Sequence, residues 1–206
     1  VDELLVAEAN DTSSTTPDTR EVLNYMNALT TAIDSLASVP LSLRTIRDSH
    51  QAMLRNVGRS RGANVRPGEF KQFQNFIGGA GTIENARFIP PPPRECMTCL
   101  QDLERYIHED ENDLDTLINS ALIHYQFETI HPFADGNGRV GRMLIILHLF
   151  MKKKLVQPLL YLSPILEERK DEYIDRMYAV SSKGDWEGWI SFYLVAMRDS
   201  ARQTIH

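Results

Sequence analysis

Cysteine is scarce in this 206-residue chain: Cys96 and Cys99 are the only two. One CxxC is half of a zinc site at best and no disulfide framework, so the pair is expected to pack on a helix face beside Leu100 and Leu103. Such usage fits a reducing cytoplasm. Long apolar runs are missing as well. Met143 to Met151 is the longest, interrupted by His148 and followed by three lysines, well short of the roughly 20 residues that span a bilayer. No membrane partner is therefore expected. Basic residues are outnumbered, 22 against 28 acidic ones for a net charge of −6, and that field repels nucleic-acid backbones and anionic lipid. The only basic concentration, Arg55, Arg59, Arg61 and Arg66, reads as a solvated face, so no nucleic-acid partner is expected. Glycine (11) and proline (10) are too few for collagen-like or disordered classes, and 42% hydrophobic residues suffice for a core. The expected organisation is an N-terminal segment, 1–19, ahead of one domain, 20–206.

Apolar spacing predicts helix almost everywhere. Val22, Tyr25, Met26, Leu29, Ile33 and Leu36 mark a helix ending near Pro40, and Ser42 caps a second one that Gly58 stops. Residues 59–93, rich in glycine and proline, read as a long irregular surface segment, with a short extended pairing over Thr82 to Ile89. Cys99 to Ile107 and Leu114 to Tyr125 give two amphipathic helices, the latter ending at His131 before Pro132. Val140 to Met151 is apolar nearly all round, as in a buried central helix. Ser163-Pro164 opens another, and Asp185 caps the last.

The chemistry concentrates in His131-Pro132-Phe133-Ala134-Asp135-Gly136-Asn137-Gly138-Arg139-Val140-Gly141-Arg142. This loop leads into the N-terminus of the buried helix, where unpaired N–H groups and two glycines make an anion cradle. Phosphate is the natural guest. Arg139 and Arg142 lie three apart on the first turn and can grip phosphate oxygens bidentately. Asp135 beside phosphate suits a Mg²⁺ ion completed by phosphates and water. His131 at the other lip is a general base for an attacking hydroxyl. Phe133 anchors the loop in the core. Taken singly, each feature is an ordinary helix cap or turn; their joint order carries the reading.

This run resembles the Fic signature, HPFx(D/E)GN(G/K)RxxR, at every defined position. Arg66-Pro67-Gly68-Glu69-Phe70, Gln74 to Gly78, Phe88 to Pro92, Leu160 to Ser163 and Asp171-Glu172-Tyr173 extend the resemblance over most of residues 20–200. It implies an all-α, Fic-type helical core with a small β-hairpin flap, and an adenylyltransferase that moves AMP from ATP to a Tyr, Thr or Ser hydroxyl of a protein. By that resemblance His131 is the base and Asp135 the Mg²⁺ ligand. The ATP site is Gly136, Asn137, Gly138, Arg139, Val140, Gly141 and Arg142, with Tyr173 and Ser181 at the adenine. Asn85, Ala86, Arg87 and Phe88 form the flap that pairs with the target's backbone. Gly138 stands where the kinase-like Doc toxins carry Lys, which favours AMP transfer. Ile174 and Phe76 depart from the family pattern at positions away from the chemistry.

Many relatives carry an inhibitory (S/T)xxxE(G/N) helix. Glu84-Asn85, Glu111-Asn112 and Glu187-Gly188 are preceded four residues earlier by Ala80, Ile107 and Lys183, so none fits. Val1 to Leu5, without an initiator Met or signal pattern, resembles the stretch that follows this motif, and an inhibitory segment upstream is the expectation. Rival readings are a Doc-like kinase, a transferase using another phosphate donor, and a helical binding module without catalysis; a homodimer is compatible with all of them.

Overall fold

The computed structural model describes residues 17–56, 65–78, 81–109, 114–158 and 160–204. Among these, eight α-helices carry the fold: α1 Pro17–Ser35, α2 Leu43–Met53, α3 Pro93–His108, α4 Thr116–Ile130, α5 Asn137–Met151, α6 Ser163–Glu168, α7 Lys170–Lys183 and α8 Trp186–Thr204. The expected Gly58 stop lies outside the described residues, and α2 already ends at Met53.

Helix starts follow local chemistry. Ser42 Oγ accepts the Thr45 N–H at 3.4 Å, Asp115 accepts from Leu117 at 2.8 Å, and Asp185 accepts from Gly188 at 3.0 Å. Each occupies a first-turn N–H that the helix cannot satisfy itself. Pro93 opens α3, where its missing N–H costs nothing. The helix at Ser163 differs from expectation: its N-cap is Leu162, and it breaks at Arg169 after six residues before α7 begins.

The α4–α5 hairpin is the wall between two cores. On one side Ile123, Phe127 and Ile130 of α4 join Val140, Met143, Leu144 and Leu147 of α5 against α1, α2 and α3. On the other, Ala121, Tyr125, Ile145 and Leu149 meet Trp189, Phe192, Tyr193 and Ala196 of α8. Trp189 Nε1 donates to the Ala121 carbonyl at 3.0 Å, which pins α8 to α4 where a buried indole N–H needs a partner. Cys96 is buried in the first core with Leu100 and Leu103. No helix among the described residues is long and apolar enough to cross a membrane.

The expected β-hairpin flap is not formed among the described residues. Ile77 and Phe88 make one isolated antiparallel bridge, and a 3₁₀ turn, Ile83–Asn85, lies between them. Gly78 and Gly81 have φ of 71° and 84°, which ends the extended run one residue beyond Ile77 and leaves no length for a ladder. Of the flap candidates, Asn85 belongs to the turn, Ala86 and Arg87 follow it, and Phe88 makes the bridge.

Leu144 is 1% exposed between the elements of the first core, so Leu144→Ala is expected to cost about 3 kcal/mol. Urea unfolding will show this as a lower midpoint at unchanged slope.

Candidate active site

Helix α4 ends at His131, whose backbone is left-handed (φ 48°, ψ 61°) and whose N–H still bonds to Phe127 O at 3.0 Å. The chain then reverses through 132–136 and enters α5 at Gly136, φ 81°, a conformation glycine adopts without steric cost. Phe133 is fully buried and stacks on His50, ring centroids 3.8 Å apart and 8° from parallel. Asn137, itself buried, clasps Phe133 from both sides: Oδ1 accepts its N–H and Nδ2 donates to its carbonyl, both at 2.8 Å. The Asn137 side chain therefore shapes the loop, and only its backbone is available to a cradle.

Three residues the sequence reading did not single out complete this support. The Gly68 N–H donates to His50 Nδ1 at 2.8 Å, so the ring proton is on Nε2, which donates to Asp135 O at 3.0 Å. Asn75 Nδ2 donates to the carbonyls of His131 and Phe133 at 2.9 and 3.1 Å. Lys71 gives its N–H to Pro132 O at 2.7 Å, and its ammonium to Ile130 O at 3.1 Å and Asn75 Oδ1 at 2.7 Å. A cation there also suits the negative C-terminal end of α4. The expected surface segment is thus, over residues 68–75, a strap against the loop, with Lys71 buried.

His131 is neutral and fixed in one tautomer. Its Nδ1 lies 3.2 Å from Glu128 O, so Nδ1–H donates to that carbonyl and Nε2 keeps its lone pair. Burial pushes its pKa down to about 4, against a smaller upward pull from the Glu128 carbonyl.

The two arginines have separate surroundings. Arg139 Nη1 pairs with Glu21 of α1 at 2.9 Å, and its Nη2 is 3.8 Å from the Asp135 carboxylate, which is one-third exposed. Arg142 folds back along the first turn: a Cβ on Gly138 would meet its Nη1 at 3.2 Å. A Cβ on Gly141 would lie 2.2 Å from Glu128 Oε1, so glycine there lets α4 and α5 approach. Val140 is buried in the first core, and its N–H makes the first bond of α5, to Gly136 O at 3.1 Å.

Beside His131 lies a cavity of ≈ 120 Å³, lined among others by Ile77, Phe88, Tyr173, Met177 and Ser181. Tyr173 OH bonds His124 Nε2 at 3.0 Å, and burial raises its pKa well above the usual value. Ser181 Oγ meets Tyr125 OH at 2.7 Å. Arg87 closes the segment 81–88 onto α7, paired with Asp175 and placed over the Tyr178 ring at 5.0 Å. The structure thus brings His131, Tyr173, Ser181, Arg87 and Phe88 around one cavity, while Asp135, Gly136 and Arg139 sit at the adjoining start of α5. Among the described residues no three His, Cys, Asp or Glu side chains cluster as a metal cage. Asp135 itself offers carboxylate oxygen, the donor type that hard cations take.

A profile described as the Fic/DOC family matches residues 40–149, just over half of the chain, and the chain belongs to that family. The protein adenylyltransferase Fic of Drosophila grimshawi is 31% identical over 124 residues, which cover 60% of this chain and 22% of that protein. Its namesake in Drosophila mojavensis is 34% identical over the same length, 21% of its own. The chain spans about a fifth of these relatives. Solved structures agree in fold: a Fic family protein from Desulfovibrio desulfuricans G20 superposes with a TM-score of 0.76 at 24% identity, covering 98% of this chain and 58% of that one. Fic-1 (residues 134–508) of C. elegans gives 0.71 at 21%, covering 98% and 56%.

Burial also sets the acid sensitivity. His50, His131 and His148 are held down to about 4 and His124 to about 3, each from an ordinary 6.5. Between those values the unfolded chain binds protons that the native chain refuses, so stability is full above pH 6.5 and falls as pH drops towards 4. Glu128, raised to about 7, works in the opposite direction, as one group against four. Thermal unfolding is expected at a lower temperature at pH 5 than at pH 7, with a smaller difference in His50→Gln.

Proposed function

We propose that this chain transfers AMP from ATP to a Tyr, Thr or Ser hydroxyl of a target protein. The observation that carries this reading is His131: a neutral imidazole with Nδ1 bound to a carbonyl and Nε2 open, standing beside the glycine-started helix that holds both arginines. Nε2 takes the hydroxyl proton as the oxygen attacks the α-phosphorus, and the bond to the bridging oxygen of the β-phosphate breaks, releasing pyrophosphate. The first-turn amides from Gly136 to Gly138 cradle the phosphates, and Arg139 and Arg142 hold the tail against charge developing on the leaving group. Asp135 would hold Mg²⁺, which when bound neutralises phosphate charge. Tyr173, Met177 and Ser181 offer a largely apolar slot for adenine, its two hydroxyls already bonded to His124 and Tyr125, roofed by Ile77 and Phe88. The segment 85–88 orders the target's backbone beside His131.

Two features favour AMP transfer over the Doc-like reaction: Gly138 in place of Lys, and relatives named adenylyltransferase at about 30% identity. A cytoplasmic setting fits the cysteine usage. Incubation with Mg²⁺ and ATP labelled at the α- or γ-phosphate, in lysate, is expected to transfer α-label alone to protein. His131→Ala should lower that transfer by at least about 10²-fold. Transfer of γ-label alone would make the chain a kinase, and no transfer of either would point to another donor or a binding module.

A further inference from the structure

Glu128 lies one helical turn before His131 and is 7% exposed. Its Oε2 is 3.9 Å from His131 Nδ1, and its Oε1 is buried without a hydrogen-bond partner. An orphaned carboxyl oxygen is costly in a packed interior, and it persists here at the wall of the cavity that holds the reacting imidazole. The neighbouring fold makes room for it, since any residue but glycine at 141 would collide with Oε1.

We propose that Glu128 is a positioning residue for the transfer reaction: its carboxylate sits behind the imidazole and balances the positive charge His131 acquires when Nε2 takes the substrate's proton. This rests on the assignment of His131 as the base. The proton goes from the hydroxyl to Nε2 and no further; Glu128 gains none and acts by charge alone. In the resting state Nδ1–H is bound to the backbone carbonyl of Glu128 at 3.2 Å, and the side-chain carboxylate of the same residue stands 3.9 Å behind Nδ1, while Asp135 acts on the ring as a second, separate negative charge. The Glu128 carboxylate lies close enough to stabilise an imidazolium in a site of low polarity.

The groups that face Glu128 set when it is charged. His124 lies one turn before it on α4, His131 caps the same helix, Arg142 and Gly141 face it from α5, Tyr173 from α7, and Arg87 lines the same cavity. Burial raises the carboxyl to about 7, with Arg142 pulling it down. The carboxylate form therefore grows in across neutral pH, while His131 is already neutral. The sign follows: turnover should rise through about pH 7 as Glu128 ionises.

Glu128→Gln keeps the size and removes the charge. With Mg²⁺ and labelled ATP, kcat at pH 8 is expected to fall at least tenfold, the Kd for ATP to stay within twofold, and the rise through pH 7 to vanish. Gly141→Ala, which pushes the carboxylate aside without removing it, should lower kcat in the same direction. A kcat unchanged in Glu128→Gln, or a parallel loss of kcat and ATP affinity, would overturn the proposal, the latter because Glu128 would then serve Arg142 or the fold. The ratio of variant to wild type is read on whichever phosphate label moves, so a shift from α- to γ-transfer defeats the reading of AMP transfer and not this one. If neither label moves, the His131 ring ¹³Cε1 resonance decides: an inflection near pH 7 in wild type that is absent from Glu128→Gln supports the proposal, and superimposable curves refute it.

Discussion

A chain reversal between two buried helices has carbonyl groups and no ladder to satisfy them, and everything at this site depends on how that debt is met. Five carbonyls from Ile130 to Asp135 are taken up by donors on other elements: Lys71 on those of residues 130 and 132, Asn75 on 131 and 133, Asn137 on 133, and His50 on 135. Each bond is modest alone, yet a buried unpaired carbonyl is expensive, so the set fixes one backbone path. With the path fixed, His131 is delivered in a left-handed conformation that an ordinary residue adopts only under compulsion, and its Nδ1 bond to the Glu128 carbonyl sets one tautomer.

Electrostatics then work through exclusion of water. His50 and His131 stay neutral because burial opposes their charged forms, while Glu128 is held near the edge of ionisation by the same force acting with opposite sign. Arg139 is anchored by Glu21 and close to Asp135, so its position is set from two sides. The hairpin of α4 and α5 serves both halves of the molecule: its apolar side chains build two cores, and its polar ones, His124, Glu128 and Arg142, meet along the seam.

Most helices were legible because their apolar residues recur at the helical period, and α5 because it is apolar all round. Helix α4 was legible as a helix and misleading as an amphipathic one: Ser120, His124 and Glu128 look like a wet face but are buried, each at or below 7% exposure. The signature placed His131, the glycines at the start of α5 and both arginines in one stretch of sequence. His50, Lys71, Asn75 and Glu21 escaped as supports because they bond across 56 to 118 residues of chain, largely to backbone groups, and such bonds leave no periodic trace. The flap was over-read: β-branched and aromatic residues at 83, 88 and 89 promise strands, but among the described residues Ile83 belongs to a 3₁₀ turn and only Phe88 pairs, in one isolated bridge with Ile77.

The contact between Glu21 and Arg139 crosses a boundary that the family match does not. Residues 40–149 define the shared segment, yet one partner of its first arginine stands on α1, and the far wall of its cavity, with Tyr173 and Ser181, stands on α7. The segment thus brings one side of the cavity, with Ile77, Phe88 and His131, and lacks the other. Grafted alone into another scaffold, it would carry His131 and the glycine-started turn but leave one of Arg139's carboxylate partners and the α7 side of the cavity to whatever host received it.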